Sequence, residues 1–198
     1  MDNHSETFTP QESLQVIQTM IDQAKSSVAD KSFYFLLWGW LVFIGAIGQY
    51  VLKVIVRTDR NPMVWLIMFI GVIVSAIYSR RERIKMVKTY VDEGLRNIWS
   101  AIAIAQGLIV LIFMRRGDWE HCYTIFILTY SIGCYLTGRL LQFRPLVWGA
   151  RFCWVLAIVT TYVDVDMNIL LLAAAILGSY IIPGYMLRAK YKHQLQKK

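Results

Sequence analysis

Charge is what this chain has least of. Asp, Glu, Lys and Arg make up 17% of its 198 residues, against roughly 25% in a soluble domain. Apolar residues reach 57% where roughly 45–50% is usual, more than one soluble core of this length can bury. Proline is scarce as well. The four are Pro10, Pro62, Pro145 and Pro183, so long helices can run without a break. The three cysteines, Cys122, Cys134 and Cys153, all lie in apolar stretches. An odd number so placed makes no disulfide framework, and no Cys-x-x-Cys spacing points to a metal. They read as small buried hydrophobes. His4, His121 and His193 are scattered, without the paired spacing of a metal hydrolase. A Gly-x-Ser-x-Gly elbow and a Gly-rich phosphate loop are both missing. These absences predict a protein that is not an enzyme and holds no cofactor.

What the chain does have is long apolar runs. Residues 33–52 read FYFLLWGWLVFIGAIGQYVL, with no formal charge and Gln49 as the one strongly polar side chain. A helix rising about 1.5 Å per residue needs roughly 20 such residues to cross a bilayer core of about 30 Å. Less clean runs follow at about 62–78, 98–114, 120–141, 146–163 and 168–187. The expected fold is an all-α integral membrane bundle of six transmembrane helices over residues 32–187. A polar segment, 1–31, precedes it and a basic tail, 188–198, follows. Asp118 is placed to cap the fourth span and Asp166 or Asn168 the sixth, while Pro183-Gly184 should kink or loosen the last turns.

Lys and Arg divide unevenly between the two sides. Counting segment 1–31, the 79–97 loop, the turn after span four and the tail, one side holds 15; the other holds 5, and Arg151 lies within span five. Basic residues stay in the cytoplasm, so both termini are expected there, in a multi-pass membrane protein. The net charge of +8 is a topology signal of this kind and predicts no nucleic-acid surface.

Thr9-Pro10-Gln11-Glu12 is a helix start. Leu14, Ile17, Ile21, Ala24 and Val28 then recur at spacings of three and four, forming one stripe of an amphipathic cytoplasmic helix. That stripe can face a partner protein or a second copy, or pack on the chain's own basic 79–97 loop. Its polar face carries too few Lys and Arg to favour lying on lipid. Membrane lipids are the remaining expected partners.

Two short matches, 47–52 with 132–137 and 62–65 with 145–148, admit an inverted 3+3 repeat of the kind transporters use. Polar residues at membrane depth are costly and often functional. Arg139, Arg144 and Arg151 could form a cytoplasm-facing pocket for an anion or lipid headgroup, or could snorkel to the interface. Gln49 and Gln106 could touch a solute or bridge two helices.

Residues 12–52, ESLQVIQTMIDQAKSSVADKSFYFLLWGWLVFIGAIGQYVL, combine an acidic amphipathic helix with a Phe-x-Leu-Leu-Trp-Gly-Trp type first span. This stretch resembles the opening of an uncharacterised family of small polytopic bacterial inner-membrane proteins with no assigned activity. The resemblance implies a bacterial inner membrane and carries over no functional residue. Two roles fit the sequence: a small transporter or permease-like bundle, and a membrane interaction or regulatory protein acting through its N-terminal helix and basic loop.

Overall fold

The computed structural model describes residues 32–83, 90–117, 119 and 121–196; these are helix and connecting turns, with no strand among them. The N-terminal stripe of Leu14, Ile17, Ile21, Ala24 and Val28 lies outside the described residues, as do Asp118, Glu120 and segment 84–89 of the basic loop. Six rods follow one another. They are α1 (Ser32–Ile55), α2 (Ile67–Arg83) after a 3-10 turn at Asn61–Leu66, α3 (Tyr90–Arg116), α4 (Cys122–Leu140), α5 (Arg144–Val159), and α6 (Val165–Ile176). The last passes through a π-helical turn at Leu177–Ile181 directly into α7 (Ile182–Gln196), so α6 and α7 form one rod.

Proline placement explains the rods. Pro62 and Pro145 sit in opening turns, where the missing N–H is no loss. Pro183 sits inside the last rod, where it would leave a carbonyl without its donor and clash with the turn before. The rod runs on because the preceding turn is widened, which is how helices absorb such a residue. Inside that turn Ser179 Oγ donates to the Ala175 carbonyl at 2.6 Å.

The rods alternate in direction. At one end Phe33 stacks on Tyr78 at 4.3 Å between ring centroids, Gly94 faces Leu140, and Gly184 faces Leu36. At the other end Lys53 meets Asp166 and Thr124 meets Thr160. The core gathers where α4, α5 and the α6–α7 rod meet, around Ile127, Cys134, Leu146, Cys153 and Ile169. Glycines allow the close approach. A Cβ on Gly149 would stand 2.7 Å from the Ser179 Cα, and one on Gly138 would stand 3.0 Å from the Val147 nitrogen.

Among the described residues, four helices are long and apolar enough to cross a membrane: Ser32–Ile55, Asn61–Arg80, Val91–Arg116 and Val165–Ala189. Helix α4 is less apolar, and α5, with 16 residues, spans only about 24 Å.

Several boundaries differ from the sequence expectation. Helix α3 begins at Tyr90, well before 98, so Val91 and Leu95 at the end of the basic loop already belong to it. Helix α6 begins at Val165 after an extended Asp164. Asp166 therefore lies in its first turn, where its carboxylate pairs with Lys53. The two halves of the first repeat match pack differently: Gly48 faces Val64 of the next helix, whereas its counterpart Gly133 faces Trp99 and Ile102 of α3.

Candidate functional site

Three groups of polar side chains stand out along the bundle axis. The first lies at the Lys53 end. The last turn of α1, Val51–Ile55, is π-helical and carries Lys53, whose Nζ lies 2.6 Å from Asp166 Oδ1. One turn earlier, Gln49 is buried. The Trp65 indole donates to its Oε1 at 2.8 Å, and its own Nε2 donates to Asn61 Oδ1 at 3.4 Å. Asn61 in turn donates to the Thr58 carbonyl at 2.9 Å. These bonds join α1 to the start of α2. Two residues after Asp166, Asn168 is 2% exposed, and its Oδ1 meets no hydrogen-bond donor among the described residues.

The second group is the centre. The Tyr130 hydroxyl and Ser179 Oγ are 2.8 Å apart and fully enclosed. The Ala175 carbonyl accepts from Ser179 and, at 3.5 Å, from the Cys153 thiol. Tyr180 packs edge-on against Phe35 and Trp99 and tilts against Tyr130. All three cysteines are buried as thiols. This group holds five rods together: Phe35 belongs to α1, Trp99 to α3, Tyr130 to α4, Cys153 to α5, and Ser179 and Tyr180 to the α6–α7 rod.

The third group is basic and lies at the opposite end. An open cavity of about 450 Å³ is lined by Gln142, Phe143, Arg144, Pro145 and Met186. Of the three arginines singled out by sequence, only Arg144 lines it. Arg139 is exposed in the last turn of α4. Arg151 is exposed on α5, with its guanidinium 4.8 Å over the Trp148 ring. Gln106 is half-buried on α3 and makes no hydrogen bond among the described residues.

Sequence reasoning passed over Lys53, Asp166, Tyr130 and Ser179 as partners. A buried serine one turn before Pro183 was the available signal for the last two, since a hydroxyl there can serve the backbone that proline disturbs.

The chain matches no protein-family model, no curated protein and no solved structure.

Proposed function

We propose that the chain is a multi-pass protein of a bacterial inner membrane whose six helices, with both termini cytoplasmic, form a scaffold for protein interaction or regulation and catalyse no reaction. The observation that carries this reading is how the polar residues at membrane depth are used. Gln49 is consumed by Trp65 and Asn61, Gln106 sits on a peripheral helix, and Arg151 points outward over Trp148. None of them faces a shared interior space.

Six spans are supported by position in the bundle. Helices α4 and α5 are packed among longer apolar rods, and a helix surrounded by helices needs less apolar surface than one surrounded by lipid. The uneven division of Lys and Arg supports the orientation, and the resemblance of residues 12–52 supports the bacterial membrane. The inverted repeat gains nothing from the unlike packing of Gly48 and Gly133.

The test is removal of residues 1–31. The shortened bundle should still purify as a folded species, while a protein that co-purifies with the full chain disappears. Unchanged co-purification would sink the interaction reading.

A small permease is the second reading, and the unpaired buried Asn168 oxygen is what favours it. It ranks lower because the next residue, Ile169, and the one a turn on, Leu172, are apolar and buried. Solute-dependent flux in proteoliposomes that is lost in Asn168→Leu would reverse the ranking.

A further inference from the structure

The geometry points to a binding site for the phosphate of an anionic phospholipid in the cavity between the α4–α5 turn and α7. This inference rests on the membrane reading above and is independent of any interaction role. The turn itself is the first observation. Phe143 N–H bonds the Gly138 carbonyl at 2.9 Å, Gln142 N–H bonds the Arg139 carbonyl at 3.2 Å, and Gln142 has φ 50°. That is a helix end closed by a left-handed residue, a position where glycine is the usual occupant because a Cβ there costs free energy. This chain keeps a glutamine at that point, and its side chain lines the cavity beside Arg144.

Charge is the second observation. The five lining residues include a cation and no acid. Arg139 lies three positions before Gln142 and Arg188 two positions after Met186, both exposed. A planar guanidinium next to an amide donor suits a phosphate oxygen pair. The rest of the wall is apolar: Phe143 is buried, and Pro145 and Met186 are partly exposed. Such a wall fits the glycerol and upper methylenes of a lipid better than a hydrated free anion.

Depth is the third. One turn into α5, Trp148 is 64% exposed with Arg151 over its ring. Exposed tryptophan with a basic side chain beside it marks the interface between headgroups and hydrocarbon, so the cavity one turn outward lies at phosphate level.

The experiment is native mass spectrometry of the full chain extracted from phosphatidylcholine vesicles with and without phosphatidylglycerol. The wild type should retain phosphatidylglycerol in preference to phosphatidylcholine. Arg144→Gln should reduce that preference roughly fivefold, whereas Arg151→Gln, outside the cavity, should leave it unchanged. Gln142→Gly should also weaken retention while leaving the helix end better formed, which separates lost binding from lost folding. Equal retention of the two lipids, or equal effects of the two arginine variants, would overturn the site. Displacement by soluble glycerol phosphate would overturn the lipid and assign a small phosphate. Failure of the chain to float with phosphatidylcholine vesicles would remove the membrane reading and the site with it.

Discussion

Helix α2 and the α6–α7 rod are almost equally apolar, yet they sit in opposite surroundings. Asn61–Arg80 has a mean hydropathy of 2.1 with 6% of its window buried; Val165–Ala189 has 2.0 with 50% buried. In a water-soluble protein the most apolar helix is the one the others cover. Here Phe69, Ile70, Val72, Ile73 and Ile77 of α2 are all more than half exposed, and α3 repeats the pattern with Ile104, Leu108 and Leu111. Beside the apolar core around Ile127, Leu146 and Ile169, the bundle buries hydroxyls, thiols and glycines: Ser131, Ser179, Thr137, Cys134 and Gly149. Lipid removes the incentive to hide leucine and isoleucine. Association is then left to close backbone approach and interhelical hydrogen bonds.

That contrast can be broken most sharply at Gly149. Gly149→Leu must push α5 away from the backbone of Ser179. The expected cost is about 3 kcal/mol, read as loss of the monodisperse peak in detergent. Phe69→Arg is the peripheral counterpart. On a lipid-facing helix it should cost about 3 kcal/mol and reduce membrane insertion. Normal insertion and stability would mean that this face meets water, and the comparison would fail.

A smaller effect is expected from Ser179→Ala, which leaves the Tyr130 hydroxyl unpaired inside the core. Thermal unfolding should register roughly 1–3 kcal/mol, while Tyr130→Phe, which leaves Ser179 bonded to Ala175, should lose about 0.6 kcal/mol. A reversed order would place the weight on the tyrosine. Trp65→Phe removes one bond to Gln49 and should cost about 1 kcal/mol. The smallest effect belongs to Gly107→Ala on α3, where an added Cβ meets nothing within 4 Å. Its melting curve should overlay the parent to within about 0.5 kcal/mol; a larger shift would reveal a neighbour on that face.

The apolar run at 33–52 announced its helix because twenty uncharged residues have few other uses. The division into buried and lipid-facing helices was not legible. A membrane helix is apolar all round, so its sequence carries little of the periodic contrast that marks a buried face in soluble proteins. Gln49 was readable as an intramembrane polar residue, but Trp65 as its donor was not, since nothing local fixes which side chain crosses to it. Asp166 was read as a cap because its spacing suits one. Its ion pair depends on where α1 ends, a distance set by the fold. Arg139, Arg144 and Arg151 fall near one another in sequence, yet the reversal at Gln142 puts Arg139 on another helix, and two turns of α5 set Arg151 about 10 Å along the axis from Arg144.

The widened turn at Leu177–Ile181 has a consequence for how the end of the chain is dialled. Successive residues of an α-helix are about 100° apart around the axis, so the extra residue held in that turn fixes the rotational phase of everything after it. Gly184 meets Leu36, and Leu187 is buried, only in this phase. Closing that turn to α-helical pitch with every residue kept would swing Gly184 off Leu36 and Leu187 out of its buried place. Deleting one residue within 177–181 as the turn closes would bring both back into phase. The π-turn works as the clutch that sets which side of α7 is engaged.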